Sequence, residues 1–135
     1  MLVVLDTNVL VSALLSPFGS PARILDLVLM GDIRLAYDDR IMAEYREVLA
    51  RPKFGFVPAD VSDVLIYLEA EGEPVVAHPL NTALPHPDDA PFLEVATETG
   101  ALLVTGNQAH HPQNTRGAVI VLSPSEFLKA WRERQ

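Results

Sequence analysis

Apolar residues fall into short unbroken runs separated by longer segments in which apolar positions recur with helical spacing. The short runs predict strands buried on both faces, and the periodic segments predict helices. The predicted strands are Leu2 to Leu5, Ile33 to Tyr37, a weaker one from Pro74 to Ala77, Ala101 to Val104, and Val119 to Leu122. The predicted helices are Thr7 to Leu15, Pro21 to Met30, Asp38 or Asp39 to about Ala50, Asp60 to Ala70, about Asp88 to Thr99, and Ser123 to Arg134. Strands that alternate with helices predict an α/β sandwich around a mostly parallel sheet.

Polar residues follow two of these strands at the point where each strand ends. Residues 6–8 (Asp-Thr-Asn) come directly after the first strand, and residues 105–107 (Thr-Gly-Asn) come directly after the fourth predicted strand. Ligands of parallel sheets collect at the carboxyl ends of the strands, so we expect both clusters to face one crevice. The alternative is that Asp6 or Thr7 only caps the first helix.

Two further helices carry acids beside their apolar faces. Glu44 lies at the edge of the apolar stripe of its helix, although a boundary glutamate paired with Arg40 or Arg51 would have the same spacing. Asp89 shares the apolar stripe of the predicted fifth helix, but spacing alone does not decide whether Asp89 or Asp88 faces the site. The alternative is that one of the two caps the helix and the other is solvated. Convergence of Asp6, Glu44 and Asp89 at the strand ends predicts an oxygen-ligand site for Mg²⁺ or Mn²⁺.

Length and composition set the class of protein. The chain has 135 residues, 49% of them hydrophobic and 21% charged, which predicts a single globular domain over residues 1–135. No apolar run approaches a membrane span and the start lacks a basic leader, so we expect a cytoplasmic protein without a membrane partner. Cysteine is absent, which excludes disulfides and thiolate metal sites.

The net charge bears on nucleic-acid binding. Eighteen acids against ten Lys and Arg give −8, so the molecule as a whole should repel a polyanion. Bound divalent ions would invert the potential at an acidic site. The acidity therefore neither favours nor excludes a nuclease.

The order of five motifs resembles the PIN-domain proteins, in particular the toxin components of toxin-antitoxin systems related to the VapC ribonucleases. The motifs are LDTNVLVSALL, EYREVLARPKF, HPDDAPFLEVA, LLVTGNQAHHP and VIVLSPSEFL, and together they span nearly the whole chain. The resemblance implies a three-layer α/β/α sandwich and hydrolysis of RNA phosphodiesters with Mg²⁺ or Mn²⁺. It implies that Asp6, Glu44 and Asp89 are the catalytic and metal-binding acids. The residues it implies for substrate contact or support of the ligands are Asn8, Thr105, Asn107, His110 and Asp88.

The sequence departs from the PIN pattern where many members have a fourth acid. Here Asn107 follows the fourth strand, His110 takes the place of the acid and His111 that of an aromatic residue. This removes a negative charge, so a second metal ion would be held more weakly. The two histidines could instead form a solvated pair in a loop. The chain could then be a catalytically weakened PIN scaffold that binds RNA or protein.

Other classes and partners follow from the same residues. A receiver-like phosphoacceptor would need a late lysine, a HAD-type phosphatase would need an acid at Asn8, and a dinucleotide-binding domain would need a G-x-G-x-x-G motif. The resemblance implies an RNA substrate, an antitoxin protein that covers the cleft, and often a homodimer. Arg46, Arg51, Lys53 and Arg116 are candidates for substrate contacts.

Overall fold

A computed structural model describes residues 1–81 and 83–135 of the chain, which form a three-layer α/β/α sandwich. The strands are β1 (Leu2–Leu5), β2 (Arg34–Tyr37), β3 (Glu73–Pro74), β4 (Leu102–Val104) and β5 (Val121–Leu122). The α-helices are α1 (Thr7–Leu15), α2 (Ser20–Leu29), α3 (Asp39–Leu49), α4 (Pro58–Glu71), α5 (Ala90–Thr99) and α6 (Pro124–Arg134). The fold class predicted from the sequence is confirmed.

The strands form one parallel sheet in the order β3-β2-β1-β4-β5. Strand β1 is central, and its residues Val3 to Leu5 are almost completely buried. Leu5 lies opposite Val104 of β4, so the residues that follow these two strands leave the sheet side by side. The backbone N–H of Asp6 donates to the Val104 carbonyl at 2.9 Å, which extends the pairing to the site.

Helices α5 and α3 position the acids of the site. Helix α5 packs against β1, β2 and β4, and α3 packs against α1, α4 and α5. The fully buried Tyr45 of α3 donates its hydroxyl to the Leu5 carbonyl at 2.6 Å, directly before Asp6. Burial and nearby carboxylates raise the pKa of Tyr45 well above 10, so the hydroxyl stays a donor at neutral pH. Helix α3 is thereby tied to the end of β1.

Several element bounds differ from those predicted. Strand β3 begins one residue earlier than predicted, at Glu73, and ends at Pro74, which lies opposite Tyr37, the last residue of β2. Strand β5 begins at Val121, since the N–H of Val119 is bonded in a turn to the Arg116 carbonyl. Helix α2 begins at Ser20 itself, one residue earlier than predicted.

The start of the fifth helix also differs. A separate 3₁₀ turn, Pro87–Asp89, precedes α5, so both aspartates lie outside the α-helix. Their helical spacing to the apolar stripe therefore does not decide which of them faces inward.

None of the helices in residues 1–81 and 83–135 has both the length and the apolar character needed to cross a membrane.

Candidate metal centre

Asp6 occupies the N-terminal position of α1 without capping the helix. It has extended backbone geometry, yet its side chain makes no hydrogen bond to the first turn of α1. Its Oδ2 instead accepts from the buried hydroxyl of Thr105 at 2.8 Å, across from β1 to the end of β4. Asp6 is only 4% exposed. The carboxylate is thus held at the junction of the two strands, and the capping alternative is wrong for Asp6.

Asp89 faces the same point from the 3₁₀ turn before α5. Its side chain is mostly buried, and Oδ2 has no hydrogen-bond partner. The Nδ1 atom of His110 lies 3.1 Å from this oxygen but not in hydrogen-bond geometry. Asp88, its neighbour, is exposed. The 3₁₀ turn therefore directs Asp89 toward Asp6 and leaves Asp88 at the surface.

A buried histidine completes the cluster. His111 has no exposed surface, and neither of its ring nitrogens has a hydrogen-bond partner. Its Nε2 lies 3.9 Å from Oδ2 of Asp6. One atom each from Asp6, Asp89 and His111 can be chosen so that all three lie within 4.8 Å of one another. His111 is thus part of the site, and the solvated-loop alternative is wrong for this residue.

Glu44 lies beside this cluster on α3, half-buried and not one of its three closest members. The Thr7 hydroxyl donates a short hydrogen bond to Oε2 of Glu44. Burial is the main cause that raises the pKa of Glu44, and the carboxylates of Asp6 and Asp89 raise it further, while the bond from Thr7 lowers it. Glu44 is therefore coupled electrostatically to both aspartates.

The pKa of Asp89 is raised in the same way. Burial contributes most and repulsion by Asp6 adds to it, while the histidines 111, 110 and 86 oppose the rise. Carboxylates that are buried together resist ionisation unless a cation joins them. The electrostatics of the site therefore favour a bound cation.

The loop after β4 is packed against α1 by backbone contacts. The N–H of Gly106 donates to Oδ1 of Asn8 at 2.9 Å, and a Cβ at Gly106 would lie 3.1 Å from that oxygen. The N–H of Asn107 donates to the Thr105 hydroxyl at 3.1 Å. The same hydroxyl therefore bonds both Asp6 and the loop that leads to the histidines.

His110 lies at the rim of the site. Its Nε2 is 2.7 Å from the Asn107 amide nitrogen, so Nε2 accepts and Nδ1 carries the proton that faces Asp89. Its ring also contacts that of His86, with 4.1 Å between centroids. His110 thus reaches Asp89 from the loop, while Asn107 holds its ring.

Most of the basic candidates for substrate contact have other partners. Arg46 pairs with Glu69 at 2.8 Å and Arg51 with Glu47 at 2.9 Å. Arg116 donates its Nε to the His111 carbonyl at 2.6 Å. Arg116 is therefore a positioning residue for the loop after β4.

The sequence predicted Asp6, Asp89 and Glu44 as residues of the site but did not predict His111 as one. The signal that could have found it is the His-His-Pro sequence that begins three residues after Asn107, at a polar strand end. Adjacent histidines face different directions when a 3₁₀ turn ends between them, as it does at residue 110.

Comparisons with known proteins agree with this architecture. The family model described as the PIN domain matches residues 2–109. An uncharacterized protein, MJ1680, from Methanocaldococcus jannaschii is 33% identical over 109 residues, which cover 78% of this chain and 70% of that protein.

Two solved structures share the fold. One is a chain of VapBC2 from Rickettsia felis bound to a DNA fragment from its promoter, with a TM-score of 0.63, 18% identity, and coverage of 91% of this chain and 98% of that chain. The other is a chain of FitAB bound to the IR36 DNA fragment, with a TM-score of 0.57, 19% identity, and coverage of 90% and 94%. The match to the family model covers most of the chain and includes Asp6, Glu44 and Asp89. This protein belongs to the PIN-domain family.

Proposed function

We propose that this protein is a metal-dependent nuclease that hydrolyses phosphodiester bonds of RNA, and that it is the toxin of a type II toxin-antitoxin pair. Members of the PIN-domain family are generally nucleases. The observation that carries the metal dependence is the cluster of Asp6, Asp89 and His111. Three of its buried side-chain atoms have no hydrogen-bond partner. Buried polar atoms are normally satisfied, so their concentration at one point supports a missing ligand.

The residues present fit a divalent cation. Asp6 and Asp89 offer carboxylate oxygens, which Mg²⁺ and Mn²⁺ both accept, and Glu44 adds a third carboxylate at the side. A bound divalent ion supplies stabilisation of phosphate charge and makes a nearby water more acidic. The raised pKa of Asp89 and of Glu44 would fall when a cation neutralises the cluster.

The protein's own groups would position the reactants. Thr105 donates to Oδ2 of Asp6 and so fixes the orientation of the carboxylate, whose two oxygens keep further lone pairs for the cation. Glu44, oriented by Thr7, lies where it can hold a water and accept its proton. Asn107 is exposed, and the second N–H of its amide can donate a hydrogen bond to a phosphate, while the first holds the ring of His110.

RNA as the substrate and an antitoxin as the partner rest on the family and its structural relatives. VapBC2 and FitAB are toxin-antitoxin complexes, each solved with DNA. The net charge of −8 gives no general attraction for nucleic acid, so substrate contact depends on the cation and on local donors. We further propose a cytoplasmic location and pairing of two copies, as in the family.

The test is cleavage of labelled single-stranded RNA, structured RNA and DNA by the purified protein with Mg²⁺, Mn²⁺ or EDTA. Asp6→Asn and Asp89→Asn should each lower cleavage by at least about a hundredfold, since each removes a ligand. Glu47→Gln is the matched control, because Glu47 is an exposed acid on the helix that carries Glu44 and pairs with Arg51 at the surface.

Three results would overturn the proposal. Cleavage that survives EDTA would exclude metal dependence, and cleavage that survives both aspartate substitutions would exclude the site. Complete inactivity together with no Mn²⁺ or Mg²⁺ binding in calorimetry would favour the alternative of a PIN scaffold that binds RNA or protein. Cleavage of DNA in preference to RNA would retain the site but change the substrate.

A further inference from the structure

The His111 ring is buried against two carboxylates without a hydrogen bond of its own. Its exposed fraction is 0%, and both Nδ1 and Nε2 lack partners. A buried imidazole nitrogen without a partner loses hydration and gains nothing in return, which destabilises the fold. An apolar ring would fill the same space without that loss. The nitrogen at this position therefore points to a ligand.

We propose that His111 is a nitrogen ligand of the cation held by Asp6 and Asp89, and that it shifts the preference of the site from Mg²⁺ toward Mn²⁺ and related transition-metal ions. The inference rests on the metal site of the proposed function and adds a nitrogen ligand to its carboxylate ligands.

The separation of the atoms suits a shared ion. Two ligand atoms that are each about 2.1 Å from one ion lie about 3.0 Å apart at a right angle and about 4.2 Å apart when opposite. The 3.9 Å between His111 Nε2 and Asp6 Oδ2 falls within this range and is too long for a hydrogen bond. The remaining separations are all within 4.8 Å, which exceeds the distance between opposite ligands by about 0.6 Å at most.

The backbone of His111 is fixed on both sides. Its N–H donates to the Gln108 carbonyl at 3.0 Å, and its own carbonyl accepts from Arg116 at 2.6 Å. The neighbouring His110 cannot serve in its place without breaking its contact with Asn107. The loop therefore presents one ring inward and holds the other at the rim.

Ligand chemistry predicts the direction of the change in preference. Mg²⁺ favours oxygen ligands and gives up its waters reluctantly, whereas imidazole suits transition metals. Mn²⁺ accepts both carboxylates and imidazole. A site with two carboxylates and one imidazole should thus bind Mn²⁺ more tightly than Mg²⁺.

The test compares wild type with His111→Phe, which keeps an aromatic ring of similar size and removes both nitrogens. Calorimetry would give the Kd for Mn²⁺ and for Mg²⁺, and pulsed electron paramagnetic resonance of bound Mn²⁺ would detect a directly coordinated ¹⁴N. We expect a ¹⁴N signal in wild type and its loss in His111→Phe. Mn²⁺ affinity should fall at least about tenfold in the variant, while Mg²⁺ affinity changes less than about threefold.

Controls separate ligation from folding. His78→Gln alters an exposed histidine that pairs with Glu98, and it should keep the signal and both affinities. Thermal unfolding in EDTA should show His111→Phe to be at least as stable as wild type, since the substitution removes an unpartnered polar group. Should the phenylalanine variant not fold, His111→Gln, which is smaller, would be measured for the same loss of the ¹⁴N signal.

The outcomes also separate this inference from the proposed function. Mn²⁺ bound in wild type without a ¹⁴N signal would overturn the role of His111 and leave the acids as ligands. Tighter metal binding by His111→Phe would also overturn it, because the histidine would then act as a built-in cation that competes with the metal. No metal binding at all would overturn both. A ¹⁴N signal without RNA cleavage would support the inference and count against the nuclease.

Discussion

Asp6→Asn should stabilise the metal-free protein while it abolishes stabilisation by metal. The carboxylates of Asp6 and Asp89 lie within 4.8 Å of each other and are both largely buried. Two unit charges at that distance repel by about 3 kcal/mol at an effective dielectric constant of 20. The asparagine keeps an oxygen for Thr105 but loses the charge on it, which costs about 1 kcal/mol. The variant should therefore be about 2 kcal/mol more stable in EDTA at pH 7.5.

Differential scanning calorimetry measures this difference. For a domain of this size, about 2 kcal/mol corresponds to a Tm about 7 °C higher. Metal at a hundred times its Kd should stabilise wild type by about 2.7 kcal/mol and leave Asp6→Asn unchanged, so the order of the two Tm values reverses. Glu47→Gln should stay within about 0.5 kcal/mol of wild type in both conditions, since its pair with Arg51 is exposed.

The difference in stability between Asp6→Asn and wild type in EDTA should also depend on pH. The pKa of Asp89 and that of Glu44 are raised in the folded state, so the folded protein binds more protons than the unfolded chain in that range. The contribution of these two groups to the stability of the metal-free wild type is thus greatest at acidic pH and is lost as pH rises through their folded pKa values. The advantage of Asp6→Asn should shrink toward acidic pH. The reasoning would be refuted if Asp6→Asn were less stable than wild type in EDTA at pH 7.5, or if metal stabilised both proteins equally.

Three further substitutions test the supports of the site. Tyr45→Phe removes the bond to the Leu5 carbonyl and should lower the free energy of unfolding by about 1–2 kcal/mol in urea denaturation; no loss would mean that this bond does not hold α3 to β1. Gly106→Ala should lower cleavage several-fold with little change in Tm, because its Cβ would approach Asn8 Oδ1 to 3.1 Å; unchanged cleavage would exclude a role for this contact. Arg40→Ala leaves the buried carboxylates of Asp38 and Glu94 without their cation. Because half of the Arg40 side chain is exposed, the free energy of unfolding should fall by about 1–3 kcal/mol; an unchanged Tm would show that water replaces the guanidinium.

The sequence by itself determined the elements and their alternation along the chain. An apolar run such as Leu2 to Leu5 is typical of a buried strand, and alternation with helices favours a parallel sheet. Local chemistry also fixed one helix start. Ser123 caps α6 and forms a capping box with Glu126. Asp6 at the end of the first strand was therefore a candidate from the sequence alone.

Only the tertiary structure decided which polar residues share the site. Asp88 and Asp89 differ by one position, and the 3₁₀ turn at Pro87–Asp89 directs one inward and leaves the other exposed. The burial of His111 depends on Arg116 and on β1 lying beside β4, contacts that no local spacing encodes. Periodicity reports the faces of regular elements, whereas loops and turns take their side-chain directions from long-range packing. Asp6 at the end of β1 was predictable for that reason, and the buried His111 beside it was not.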